Sequence, residues 1–543
     1  MTFFQIIKNA AKQLADICDH CELSPKLAYA LFGILCAYMT CVLYLAFAGP
    51  VPSLLYPLFL LALVFVLLVK GFRLTWRLSS QSRNTPRRTS TPSAWKVGGG
   101  VAALYVLYTL TCGIWNNGDT TWQWQQVQEG RFHDWHPVIH TVILWTIARI
   151  WNCQTFVVTV QCIVFGILCG WLYATMVKYD YHLKLVFFTV LFIAVSPGTQ
   201  EAMRILWKDT AFALAGLALC IMLMHLWHTN GNWLLKPLNM VFFCLTIVLT
   251  SFLRHNGIFL TIPLVVLLPL LFCGIRHRLQ AVFLSFLCLL LITGYMQARK
   301  QLIQNRVIDT DNGQQYFEAI GVPLTIIAAN MLRAPQNIPP DIRLLLLEMG
   351  DENAWQLYYR GDGFHDGENT LGTLKDHLRY KEVLKEHCNL AEFLKLFTRV
   401  VIHSPITSAK AFVNLTALAW NPLSHTRFLV ANRNPGYPLD YLLSGLRADL
   451  INPPIGWFFI VPGMHIAFLL YAGIQATMRH GWKCLTLFFP FLSYAFGTAL
   501  LLFSTWEAWR FYYILCLCSV PMMAIMFTPK EDSEAHVVHG NNC

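Results

Sequence analysis

Apolar and polar positions come in long blocks along this chain. Continuous apolar stretches lie near 27–48, 52–71, 98–115, 154–177, 183–197, 207–228, 237–253, 258–275, 280–297, 455–475, 484–503 and 511–528, with short wet segments between most of them. About 20 apolar residues in a helix span the hydrocarbon core of a bilayer. Lipid offers no partner to a backbone polar group, so only helices and closed barrels cross it. The stretches are continuous, not alternating, and they predict helices. The expected fold is an all-α polytopic membrane protein with about 12 transmembrane helices, some of them short, notably 183–197. Residues 1–26 are polar and the first apolar run is long enough to stay in the membrane, so no cleavable signal peptide is expected.

Lysine and arginine positions give the expected orientation. The linker after the second stretch carries Lys70, Arg73, Arg77, Arg83, Arg87, Arg88 and Lys96. The excess of positive charge on cytoplasmic loops assigns it to the cytoplasm, with Lys178–Lys184, Arg276–Arg278 and Arg479–Lys483 on the same side. Both termini are then cytoplasmic in a multi-pass cell-membrane protein. Asp119, the segments Arg204–Asp209 and Arg254–Gly257, residues 298–454 and Trp506–Arg510 are extracytoplasmic.

Composition agrees with this class. Of 543 residues, 56% are hydrophobic and 13% charged, where a soluble protein carries about a quarter charged. The net charge of +11 partly restates the topological bias and does not imply nucleic-acid binding. The 17 cysteines lie mostly in apolar stretches, where they act as small hydrophobes. Cys18-Asp19-His20-Cys21 has the spacing of half a zinc site but lacks a second half.

The expected organisation has five parts. Residues 1–97 form a two-helix appendage with a basic linker, and 98–297 a transmembrane core that includes a wet loop at 116–151. Residues 298–454 form an external, mainly helical domain, with loops expected at Asn330–Asp341 and Gly361–Asn369. Residues 455–528 are C-terminal transmembrane helices, and 529–543 a cytoplasmic tail. The segment from Lys375 to Val401 has helical periodicity.

Four wet segments fall at the outer ends of different helices. The first holds Asp119, Gln123, Gln125, Gln126, Asp134, His136 and His140. General-base catalysis needs a carboxylate near an acceptor hydroxyl, desolvated so that its pKa rises toward neutrality, and Asp119 is the candidate. Trp115, Trp122, Trp124, Trp135 and Trp145 make either an interfacial belt or a sugar-stacking surface. His133, His136 and His140 fit a polar cap on an amphipathic helix better than a metal site. The second segment runs from Arg204 to Asp209. Arg204 and Lys208 are four apart, which on a helix is one face suited to a phosphate. In the third, Arg254-His255-Asn256-Gly257, an arginine stands on the side where cations are disfavoured, and a short loop of this kind can fold over an anion. The fourth is Trp506–Tyr513, with Glu507 and Arg510 three apart at a span boundary. Arginine among apolar groups costs about 2.5–3.5 kcal/mol on insertion scales, which a paired Glu507 or a bound phosphate offsets.

These residues, in this order, resemble the GT-C superfamily of polytopic membrane glycosyltransferases, in its bacterial protein O-mannosyltransferase-like branch. That family places an acidic residue in its first external loop, matched by Asp119. An Asp-x-His-Pro motif follows, matched by Asp134, His136 and Pro137, with Val138 where a second proline is frequent. Lys208-Asp209, the Arg254–Gly257 turn, Ala319–Leu324 and Trp506–Tyr513 resemble further family segments, with Phe511 in place of a tyrosine. The resemblance spans about residues 98–528.

The resemblance implies a GT-C-type helical bundle and transfer of a sugar from a polyprenyl-phosphate-linked donor to an extracytoplasmic acceptor: an envelope glycan, lipid or protein. Asp119 would be the general base, with Asp134 a second catalytic candidate. Arg204, Lys208, Arg254 and Arg510 would bind the donor phosphate, and Gln123, His136, Asp209, His255, Asn256 and Glu507 would position substrate. Transfer would invert the sugar centre, with no obligatory metal or other cofactor. The alternative is a surface-polysaccharide polymerase or ligase using a lipid-diphosphate donor. A transporter fits less well, because its charges would sit at mid-membrane.

Overall fold

The computed structural model describes residues 3–47, 55–81, 92–310, 320–358, 378–387, 390–423, 437, 440, 455–501 and 508–528. A helix begins within a few residues of the start of nearly every predicted apolar stretch. The long ones include Pro25–Phe47, Leu55–Gln81, Gln154–Lys178, Lys208–His228, Ile275–Gln304 and Leu485–Leu501. Six described helices are long and apolar enough to cross a membrane. Others, such as Leu183–Val195 and Pro237–Phe252, are apolar but shorter. The Ile275–Gln304 helix exposes Leu279, Val282, Phe283, Phe286 and Leu290. A soluble protein would bury such a stripe, whereas in a bilayer it faces lipid. The chain is an all-α membrane protein.

Three apolar cores hold the helices together. The largest joins residues from 105 to 292 with residues from 419 to 526. A second lies within 320–415, and a third joins the first three helices to Met478 on the Pro462–His480 helix. Tyr38 Oη donates to the carbonyl of Trp420 at 2.7 Å, which fastens the N-terminal helices further.

The tightest helix pair is Ala94–Cys112 against Gln154–Lys178. Glycines set its spacing: a Cβ at Gly166 would lie 2.6 Å from the Ala102 Cβ, and one at Gly98 would lie 2.7 Å from the carbonyl oxygen of Gly166. Small residues let two backbones approach this closely, and that contact drives helix association where lipid removes the hydrophobic effect.

The segment 116–151 folds as two short helices, Gly118–Glu129 and Val138–Ala148, around a turn. Asn117 caps the first. Its Oδ1 accepts from the Thr120 amide at 3.0 Å, and Thr120 Oγ1 accepts from the Asn117 amide at 2.9 Å. Two of the donors left open at a helix start are thereby met. The helix ends at Gly130, whose φ of 66° suits glycine. Phe132–His133 then pairs in parallel with Ile308–Asp309, the described chain's one two-stranded bridge.

Two local expectations are corrected. Asn330–Asp341 is mostly not a loop: Asn330 lies in the helix Gly321–Arg333, and Asp341 in the helix Pro340–Met349, with a short turn of 3-10 helix between. Pro340 occupies the first helical turn, where its missing N–H costs nothing. Gly361–Asn369 lies outside the described residues. The periodic segment does form helices, at Tyr380–His387 and Leu390–His403.

Candidate functional site

Lys208, Arg254 and Arg510 belong to helix ends far apart in sequence, and the fold brings them together with Asp119 and Asp209. Lys208 opens the Lys208–His228 helix. Arg254 follows the Pro237–Phe252 helix, and Arg510 lies in the short helix Ala508–Phe511 ahead of Tyr513–Ala524. Asp119 sits in the first turn of Gly118–Glu129, where the helix dipole favours a carboxylate.

Asp119 Oδ2 accepts from Arg510 Nη1 at 3.1 Å and from Lys208 Nζ at 3.4 Å. Its other oxygen, Oδ1, lies 3.9 Å from His136 Nε2. Lys208 Nζ also donates to His136 Nδ1 at 2.8 Å. An ammonium has only protons to give, so Nδ1 is the accepting nitrogen and Nε2, facing Asp119, carries the ring proton. Asp209 pairs with Arg254, and its Oδ2 is 3.9 Å from Arg510 Nε. Among the described residues, three basic side chains thus gather around two carboxylates.

Aromatic rings lie against the guanidinium groups. Both Arg254, at 4.5 Å, and Arg510, at 5.0 Å, lie over the ring of Phe511. Arg510 also lies over Trp207 at 5.4 Å, and Trp207 meets Trp115 edge-on. A phenylalanine at 511 therefore offers a ring face to two cations. This ring role was not legible in the sequence, which shows only a tyrosine hydroxyl missing at this position.

The two carboxylates differ in environment. The Asp209 side chain is 1% exposed and that of Asp119 31%, while the side chains of Lys208 and Arg510 are each 13% exposed. Burial opposes charge on Asp119, but Lys208 and Arg510 outweigh it and hold the carboxyl well below the usual carboxylate range. The sequence predicts a base raised toward neutrality; in the resting site the shift has the opposite sign. Burial also acts on His136, together with Lys208 and against the attraction of Asp119, and pulls the imidazole down to about 2. His136 is neutral at ordinary pH.

Other expected residues lie elsewhere. Arg204 is not on a helical face with Lys208: it falls in the turn after Pro197–Ala202 and is fully buried. Its guanidinium donates to the carbonyls of Gly113 and Cys112 and to Asp440, at 2.8, 2.9 and 2.8 Å. A group so committed to the protein is a structural tie. Asp134 is buried and paired in fork fashion with Arg299, while its amide donates to the Asp309 carbonyl at 2.8 Å. It clamps the wet loop to the Ile275–Gln304 helix. Arg299, 165 positions away, carried no signal in the sequence that would have paired it with Asp134.

Gln123 is buried, and its Nε2 donates to Thr141 Oγ1 at 3.0 Å, which joins the two short helices. Asn256 Nδ2 donates to Thr498 Oγ1 at 2.8 Å, also within the fold. His255 is exposed, with Nε2 3.4 Å from the carbonyl of Trp135. Glu507 lies outside the described residues. Of the five tryptophans, Trp122 borders the ion cluster, half-buried, with its ring 5.3 Å from that of His136. Trp115 is buried instead. Among the described residues no group of three or more His, Cys, Asp or Glu could hold a metal ion. Cys21 Sγ donates to the Ile17 carbonyl.

Residues 127–416 match DUF6020, described as a family of unknown function, and the chain belongs to that family. No curated protein and no solved structure matches it.

Proposed function

We propose that this member of the DUF6020 family is a membrane glycosyltransferase that takes its sugar from a polyprenyl-phosphate-linked donor. The observation that carries the reading is the ion cluster: a partly exposed carboxylate, Asp119, within 3.4 Å of two cations from the ends of distant helices. Lys208, Arg254 and Arg510, brought together from three helix ends, are the donors that a sugar phosphodiester needs. Apolar helices around the cluster suit a donor whose prenyl chain stays in lipid.

The proposed step is a displacement at the anomeric carbon. The acceptor oxygen forms the new bond to that carbon and gives its proton to Asp119. The bond from carbon to phosphate oxygen breaks, its electron pair leaves with the polyprenyl phosphate, and the centre inverts. Lys208, Arg254 and Arg510 neutralise the charge that grows on the leaving group, a contact strongest in the transition state. Trp122 is the stacking surface for the sugar. The site faces the extracytoplasmic side, in line with the basic linker on the other.

The test is transfer by the purified chain in liposomes from a radiolabelled short-chain prenyl-phosphate sugar, with the matching prenyl-diphosphate sugar as a parallel donor. Label moving from the monophosphate donor to a water-soluble or lipid acceptor is the expected result. Transfer only from the diphosphate donor would replace the reading with a polymerase or ligase, and binding of neither donor would end it.

A further inference from the structure

Lys208 and Arg510 meet on one oxygen of Asp119, and this raises the question of how a donor phosphate reaches them. The two carboxylates of the cluster answer it differently. Asp209 is sealed in the protein, paired with Arg254 and close to Arg510. Removing it would leave a buried cation without a counter-charge. Asp119 is the more exposed partner in each of its ion pairs, at 31% against 13% for Lys208 and Arg510. It stands on the solvent side of the cations, where an arriving anion must come.

We infer that Asp119 is the resting occupant of the anion site. It holds Lys208 and Arg510 in place until the donor phosphate exchanges with it, whereas Asp209 is the permanent counter-ion. This rests on the donor reading given above. The exchange breaks no covalent bond: two cations turn from a carboxylate oxygen to a phosphate oxygen. Asp119 then keeps His136 as its neighbour, Nε2 toward Oδ1 at 3.9 Å. His136 still accepts from Lys208 through Nδ1 and so holds the cation while the anions change. The released carboxylate, now beside a negative phosphate, becomes a stronger base than it was at rest. Donor binding thus switches the base on, and a site without donor holds its carboxylate too weakly basic to activate water or a stray hydroxyl.

If Asp119 is the resting occupant, Asp119→Asn must bind phosphate more tightly than the native chain while losing turnover. The experiment titrates the full-length chain in detergent with farnesyl phosphate and, separately, with inorganic phosphate, following tryptophan fluorescence, since Trp207 lies beneath Arg510. Asp119→Asn and Asp119→Ser are expected to lower the dissociation constant of farnesyl phosphate by about tenfold or more, the factor that one competing charge-assisted hydrogen bond represents. Asp119→Glu keeps the competing charge and is expected to show no such gain. Tighter binding of farnesyl phosphate but not of inorganic phosphate assigns the site to a lipid headgroup, and equal gains for both assign it to phosphate alone; either supports the exchange. Equal or weaker binding by the folded Asn and Ser variants, with native binding intact, overturns the exchange and leaves the donor reading standing. No binding of either probe by the native chain overturns both.

Discussion

Arg510 Nη1 donates to Asp119 Oδ2 at 3.1 Å across 391 positions of sequence, from the last pair of helices to the first wet loop. This contact closes the ring of charges that Lys208, Arg254 and Asp209 complete.

Removing that guanidinium should affect the donor more than the fold. Arg510→Ala deletes a hydrogen bond to a charged group, worth about 1.5–3 kcal/mol, so kcat/KM for the donor should fall by about ten- to a hundredfold. Arg510→Lys keeps the charge but not the planar fork, and should recover part of the loss. Steady-state kinetics at varied donor checks this. Unchanged donor kinetics in a folded variant would reduce Arg510 to an ion pair that only joins helices.

The pH profile should differ between free and occupied enzyme. In the free chain the cations hold Asp119 deprotonated far into acid, so kcat/KM should show no acid limb from this group in the working range. With donor bound the cations have turned to phosphate and the Asp119 pKa rises, so kcat should fall as pH is lowered through that higher value. An acid limb at the same pH in both profiles would refute the switch.

Stability should also fall as pH is lowered, through His136. Burial keeps this imidazole neutral down to about 2, while the unfolded chain takes up a proton near its ordinary value of 6.5. Below that ordinary value the unfolded state binds more protons, and stability falls with pH by up to about 1.4 kcal/mol per unit from this one group. Melting temperatures from pH 7.5 to 5.5 should drop more steeply for the native chain than for His136→Gln. Parallel curves would mean that His136 is charged in the fold.

Asp134 should behave as a clamp. Arg299→Met removes the guanidinium from the buried Asp134 carboxylate, and breaking such a pair costs about 3–5 kcal/mol, less here because Arg299 is 28% exposed. The double variant Asp134→Asn, Arg299→Met should regain much of that loss. Thermal melts measure both. If Asp134→Asn alone abolishes turnover with stability intact, Asp134 takes part in the chemistry.

The glycine contact between Ala94–Cys112 and Gln154–Lys178 admits a direct test of packing. Gly166→Leu drives a side chain into Ala102 and should cost about 1–3 kcal/mol, as overpacking does. Gly99→Ala, with nothing within 4 Å of the new Cβ, is the control and should melt at or above the native temperature. Equal melting of both would mean that the two helices do not rely on this close approach.

The helices were legible in the sequence for a physical reason. A helix closes its hydrogen bonds within a few residues, and an apolar block in lipid has no other way to pair its backbone. Continuous apolar stretches therefore determined where helices begin, and the Asn117-to-Thr120 cap and Gly130 are equally local signals. The wet segment around Asp119, with Lys208, Arg254 and Arg510, was also visible as charge misplaced at helix ends. What these charges do was decided by the tertiary structure, because a charge takes its pKa and its freedom from neighbours that sequence spacing does not reveal. Arg204 is four positions from Lys208, yet a turn separates them and Asp440 claims the guanidinium. Asp134 matched a motif, yet Arg299 turned it into a clamp. Asp119 looked like a carboxylate raised by burial. Lys208 and Arg510, 89 and 391 positions away, lower it instead, because two charges at hydrogen-bonding distance outweigh partial desolvation.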